Sequence, residues 1–300
     1  MSVPSIVMSA TTGNETEATE QVAEDQRPSI RGAMHAQERG PVTAVEAHNV
    51  TVWREKNFVK HYAGTELQRA EEIILAEERE DLRGRVLELG CGAGRLTGHL
   101  IQAGGTVHGI DLSPAMVEHC REHYPEGTFS VADLRDLSAL QAQSVDVVVA
   151  TNNVLDILDD DERRRVLRKI RRILTPSGLL WMSSHNRDFL PNLKGPGDIR
   201  GRNAVRTAGK LALLPWRTYN RRRLLPLQRF ERDYAIVNDD AHHFRLLHYY
   251  ISPAAQARQL GDEGFVLTGC RCSDGREISP EDVVSDCVEV HYLARRPADA

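Results

Sequence analysis

The run Val86-Leu87-Glu88-Leu89-Gly90-Cys91-Gly92-Ala93-Gly94-Arg95-Leu96 constrains the fold of this chain more than any other stretch. An apolar segment carrying Glu88 ends in glycines at three alternate positions, and the amphipathic segment Leu96 to Gln102 follows at once. That order describes a strand, a tight turn and a helix. Glycine there lets the backbone turn sharply and lets a ligand lie against bare main chain. A dinucleotide-binding turn of the form G-x-G-x-x-G would put its third glycine at position 95, where this chain has Arg95. The glycine comes one residue early, which argues against a nicotinamide or flavin site and for a nucleoside ligand without a pyrophosphate.

The segments that follow repeat the pattern. Thr106 to Asp111 reads as a second strand ending in a carboxylate, about twenty residues on, where an acidic side chain can accept from both ribose hydroxyls. Ser113 and Pro114 then open a helix as N-cap and first helical residue. Thr128 to Leu134 is a third strand carrying Asp133 near its end, and Val145 to Ala150 a fourth that leads into Thr151-Asn152-Asn153-Val154-Leu155-Asp156. Leu179 to Ser184 is a fifth. A single glycine-rich turn is weak evidence, but three such features at the carboxyl ends of consecutive strands fall on the edge where open α/β sheets bind ligands.

Over residues 80 to 188, and more loosely over the last fifty, the chain resembles the class I, Rossmann-like S-adenosylmethionine-dependent methyltransferases, with E-L-G-C-G-A-G at 88–94 as the most specific signature. The resemblance implies a doubly wound, mostly parallel seven-stranded α/β sheet and S-adenosylmethionine as cofactor. It implies that Asp111, with Leu112 beside it, holds the ribose, and that Asp133 meets the adenine amino group with Leu134 alongside. It further implies that Met116 covers the adenine, that Gly90 and Gly92 admit the methionine half, and that Glu88 belongs to the same polar network. Asn152 lies at the same sheet edge, and Tyr62, on a helix before the core, can close over the methionine end or simply pack. Many family members carry a histidine at the place of Ile157, so a base at that position is not expected here.

The acceptor side is less determined. Methyl transfer to a hydroxyl requires removal of a proton, most often by histidine. His185 directly follows the fifth strand; His242, His243 and His248 lie further on. If Phe244 to Ile251 forms a strand, His248 shares a face with His242 and Tyr249 with His243. His243 and His248 are then favoured over His185, although each is more often structural. Asp239, Asp240 and His243 could hold a hard divalent cation, but Asp-rich turns are common and no metal is expected.

The remaining organisation follows from composition. Residues 1 to about 45 hold few large apolar residues and are expected to form a disordered tail. Ala44 to Ala63, with Trp53, Phe58, Val59 and Tyr62, and then Thr65 to Glu78, read as helices before a core spanning 46–186 and 251–300. Residues 187–250 read as a cap inserted between the fifth and sixth strands, and Lys194 to Arg232 holds eleven Lys or Arg against Asp198 and Glu231. Those arginines fit an anionic acceptor of sugar or glycolipid type, the cap's own surface, a second copy of the chain, or a macromolecular or anionic membrane face. The arginines of the helix after Asp159 read as its solvated face. A net charge of −5 gives no case for nucleic acid binding. No apolar run is long enough to span a membrane, the N-terminus is unlike a secretory signal, and five scattered cysteines suit a reducing cytoplasm. The expected protein is a cytoplasmic methyltransferase acting on the oxygen, before nitrogen or carbon, of a small or medium-sized acceptor. The alternatives are a macromolecular or membrane-surface acceptor reached through the basic cap, and a protein that binds the cofactor without methylating.

Overall fold

A computed structural model describes residues 43–53, 66–198 and 204–298. The expected order of strands and helices is present. β1 (Arg85–Leu89), β2 (Thr106–Asp111), β3 (Thr128–Val131), β4 (Val145–Ala150) and β5 (Leu174–Asn186) pair in parallel in the order β3-β2-β1-β4-β5. β10 (Glu289–Arg295) runs antiparallel between β5 and β9 (Val266–Cys272). These seven strands are the doubly wound sheet that the sequence implies. β1 and β4 are buried almost throughout, because helices cover both faces of such a sheet.

The insertion corrects the strand count. The sheet has ten strands among the described residues, because β6 (Arg229–Phe230), β7 (Tyr234–Val237) and β8 (His248–Ile251) extend it rather than forming a separate cap. β8 pairs in parallel with the last residues of β5, His185 with Tyr250 and Asn186 with Ile251. β10 also pairs with His185. A strand has only two edges, so β8 must occupy the edge that β4 fills lower down. The insertion therefore starts where β4 ends, over the ligand-binding edge of the sheet.

Local sequence sets the other elements. α1 (Ala44–Trp53) is followed by α2 (Arg69–Glu77), α3 (Thr97–Gln102) and α4 (Pro114–His123). Polar bonds as well as Val45 and Val52 hold α1. The buried Asn49 amide donates to the carbonyls of Ile157 (3.0 Å) and Leu247 (2.8 Å). Tyr62, Phe58 and Val59, and the tail before residue 43, lie outside the described residues. α5 (Asp160–Ile173) is capped by Asp159, whose carboxylate accepts from the Glu162 amide. It runs directly into β5, so Pro176-Ser177-Gly178 lies beyond the helix and not at its end. α6 (Ala204–Ala212), α7 (Leu214–Leu224) and α8 (Pro253–Asp262) follow among the described residues. Two cores result. Val86, Val107, Val147, Leu179 and Trp181 pack the central sheet, while Val45, Leu224, Ile236, Tyr249 and Ala255 join α1, α7 and α8 to the added strands. No helix among the described residues is long and apolar enough to cross a membrane.

Candidate active site

A cleft opens at the carboxyl ends of β1, β2 and β4. Gly90, Gly92, Asp111, Leu112, Met116, Leu134 and Asn152 line it. Trp53, Asn153 and Ile157 line it as well. The glycines differ in purpose. Gly90, Gly92 and Gly94 all have positive φ, a conformation costly for any residue with a Cβ. A Cβ on Gly90 would collide with Val154, and one on Gly94 with Tyr124, whereas one on Gly92 would point into open space. Gly92 therefore keeps the floor of the cleft bare, and Gly94 is required by packing.

Asp111 is fixed before any ligand arrives. One carboxylate oxygen accepts from the Gly92 amide (3.0 Å) and the other from the Ser113 amide (2.8 Å). Burial pushes its pKa up, and the two amides partly offset this. A carboxylate has about four lone-pair positions, so two remain for a ligand. Glu88 does not line the cleft. It accepts from the Thr97 hydroxyl at 2.6 Å, and burial pushes its pKa to about 7. Beside it, Glu71 and Arg95 form a buried pair, with Nη2 to Oε1 at 2.6 Å. Asp133 does not line the cleft either. Its carboxylate is gripped by Arg135, Nη2 to Oδ2 at 2.6 Å and Nε to Oδ1 at 3.0 Å, while Ala132 and Leu134 face the cleft on either side of it.

His185 and His248 come together, and His243 does not. His185 Nδ1 lies 2.8 Å from Asp156 Oδ2, which also accepts from the His185 backbone amide at 2.7 Å. His248 Nδ1 lies 2.7 Å from Asp239 Oδ2, which also accepts from the Tyr250 hydroxyl at 2.7 Å. The two imidazoles stack with centroids 4.9 Å apart, and Tyr250 stacks on His185 at 4.8 Å. Burial disfavours charge on His185, yet the hydrogen bond and negative charge of Asp156, helped by Asp239, hold its pKa above the ordinary value. Burial likewise opposes ionisation of Asp239, but His248 and His185 hold its carboxyl well below the usual range. The link to the cleft is Asn153, whose side-chain nitrogen is 3.4 Å from His185 Nε2. Asn153 Oδ1 is buried with no hydrogen-bond partner among the described residues.

Residues 241–243 form a single tight turn, and only His248–Ile251 is a strand, so His242 does not share a strand face with His248. His242, His243 and Phe244 all have positive φ. His243 is exposed and lies against Trp216, at 5.3 Å between ring centroids. Nor does it join Asp239 and Asp240 in a cation site. One ligand atom each from His185, Asp239 and His248 lie within 4.8 Å of one another instead, and Asp239 there is satisfied by His248, Tyr250 and the Ala241 amide.

Behind the histidines sits a residue that the sequence reading placed on a solvated face. Arg163, fully buried, donates to Asp156 Oδ1 (2.6 Å), Ser184 Oγ (3.0 Å), Gln256 Oε1 (2.8 Å) and Gln259 Oε1 (3.1 Å). Asp156 is thus a buried carboxylate held by a buried cation, and burial is outweighed so that its pKa falls below the ordinary value.

Residues 86–178 match a family profile described as a methyltransferase domain. A ubiquinone biosynthesis O-methyltransferase of Xanthomonas oryzae pv. oryzae is 35% identical over 114 residues, covering 36% of this chain and 46% of that protein. A carboxy-S-adenosyl-L-methionine synthase of Vibrio atlanticus is 35% identical over 120 residues, covering 37% and 48%. The chain thus spans a little under half the length of these curated relatives. Among solved structures, an S-adenosylmethionine-dependent methyltransferase of Clostridium acetobutylicum aligns over 79% of this chain and 94% of its own at a TM-score of 0.54 and 14% identity. The CcbJ methyltransferase of Streptomyces caelestis aligns over 82% and 98%, at 0.54 and 18%. At these identities the structures speak for the fold alone. Sheet order, glycine turn and domain match agree: residues 86–178 are a methyltransferase domain, on the doubly wound fold shared with S-adenosylmethionine-dependent methyltransferases of class I, Rossmann-like type.

Proposed function

We propose that this protein transfers the methyl group of S-adenosylmethionine to a hydroxyl oxygen of a small or medium-sized metabolite, with His185 as general base. The observation that carries this reading is the Asp156–His185 pair next to Asn153 in the cleft wall. The cleft fits the donor: Gly92 leaves bare backbone, Asp111 has lone pairs to spare for the ribose hydroxyls, and Leu112, Met116 and Leu134 offer apolar contact to the adenine. When bound, the donor supplies a methyl already activated by its sulfonium. The chain must then place the acceptor oxygen and take its proton.

His185 is arranged for the second task. Its Nδ1–H donates to Asp156, which fixes the tautomer and leaves Nε2 to take the proton once the acceptor hydroxyl displaces the Asn153 amide, 3.4 Å away. Asp156 then stabilises the imidazolium, held by Arg163 and Ser184 so that it cannot swing away. His248 and its partner Asp239 support the ring from the stacked side.

Two experiments test the reading. Methyl-labelled S-adenosylmethionine is offered with a panel of hydroxylated aromatic, sugar and glycolipid acceptors, and label is expected in an ether product. Donor binding with no label in any product would remove oxygen transfer. Asp111→Ala is expected to weaken donor binding by about 1–3 kcal/mol, roughly five- to 150-fold, with the fold intact. An unchanged dissociation constant by calorimetry would move the ribose contact elsewhere.

A further inference from the structure

Ten large hydrophobic residues are exposed among the described residues, and six of them fall between positions 211 and 230. Leu211, Leu213, Trp216, Tyr219, Leu225 and Phe230 lie on α6, α7 and the short segment that follows, with Tyr219 61% and Phe230 64% exposed. The same stretch is strongly basic. Lys210 to Arg232 holds seven Lys or Arg and only Glu231 as an acid, in a chain whose net charge is −5. Arg222, Arg223, Arg229 and Arg232 are exposed. On the buried side of α7, Arg217, Asn220 and Leu224 face inward.

We propose that this face docks on an anionic lipid bilayer. Exposed leucines with Trp, Tyr and Phe among arginines are the chemistry of an interfacial segment, in which apolar side chains enter the headgroup boundary and basic ones meet lipid phosphates. Nucleic acid would use the arginines but leave Leu211, Leu213 and Leu225 without a partner. A second copy is disfavoured by charge. A two-fold interface sets the same patch against itself, and here that places arginines against arginines. The face also adjoins the cleft. Trp216 packs on His243, the neighbouring His242 packs on Trp53 at 5.1 Å, and Trp53 lines the cleft. Docking would therefore bring the cleft to the bilayer surface. The docking does not depend on the methyl-transfer reading; its consequence, that the acceptor is an amphiphile held in the bilayer, does.

The test is co-sedimentation of the full chain with vesicles of phosphatidylcholine alone, or rich in phosphatidylglycerol. Binding to the anionic vesicles only is expected, falling as salt is raised. The pair of changes Trp216→Asp and Tyr219→Asp should weaken binding about tenfold or more, as should Arg222→Glu with Arg223→Glu. Val283→Asp, at a residue 82% exposed and outside this stretch, should leave it unchanged. Retained S-adenosylhomocysteine binding shows that each variant is folded, independently of any acceptor. The proposal is overturned if the protein stays in the supernatant with both vesicles, or if Val283→Asp is as damaging as the patch variants. It is also overturned if sedimentation velocity shows a dimer that Trp216→Asp dissolves while vesicle binding is absent.

Discussion

Replacing His185 with Gln is expected to lower turnover by about two to four orders of magnitude while leaving donor affinity close to that of the wild type. The glutamine keeps size and polarity but cannot take up a proton. Donor affinity should survive because His185 reaches the cleft only through Asn153 and does not line it. The pH profile gives a second readout. A base must be neutral to act, so the wild-type rate should rise with pH as His185 loses its proton. Burial opposes the charged ring, but Asp156 more than compensates, so the midpoint should lie above that of an ordinary histidine. The profile of His185→Gln should lose this limb. His248→Gln should cost less, since its ring supports His185 by stacking. A His185→Gln enzyme with unchanged rate and unchanged pH profile would contradict the assignment and leave catalysis to positioning alone.

Arg163→Met is expected to destabilise the fold by about 3–5 kcal/mol, because it leaves the fully buried Asp156 charge without its cation. Thermal or denaturant unfolding measures this. Arg168→Met, on the exposed side of the same helix, should stay within about 0.5 kcal/mol of wild type. The pH dependence has a definite sign. Asp156 has a lowered pKa in the folded state, so its contribution is present above the unfolded aspartate value and lost as pH falls through the folded one. Loss of Arg163 should flatten this acid limb. Equal stability of Arg163→Met and wild type would mean that Asp156 is neutral or solvated, against its burial and its 2.6 Å contact.

The parts of the site legible in the sequence are those built by neighbours in the chain. The glycine turn and Asp111 each close with residues at the ends of two adjacent parallel strands, and strand order follows from alternating strands and helices. The pairs on the proposed acceptor side are not local. Asp156 meets His185 because β4 and β5 are adjacent, and His248 joins them only because β8 takes the vacated edge of β5. The sequence reading favoured His243 by extending β8 back to Phe244, but three consecutive positive φ values turn that stretch out of the sheet. Arg163 was hidden among the surface arginines of α5. Its signal was its place in the repeat, three residues before Val166 and four before Leu167, on the buried face. Arg135 stands two residues from Asp133, close enough to have signalled that this carboxylate has a partner of its own. Trp53 reached the cleft through Asn49, whose bonds to Ile157 and Leu247 cross 108 and 198 positions of the chain.

The central claim is that the cleft over Gly92 and Asp111 is a methyl-donor site and not a dinucleotide site. Titration calorimetry of the full chain with S-adenosylmethionine, S-adenosylhomocysteine and NAD tests it most directly. Saturable binding of the first two, weakened in Asp111→Ala and absent for NAD, is the predicted result. Tight binding of NAD with no heat from either sulfur nucleoside would contradict it.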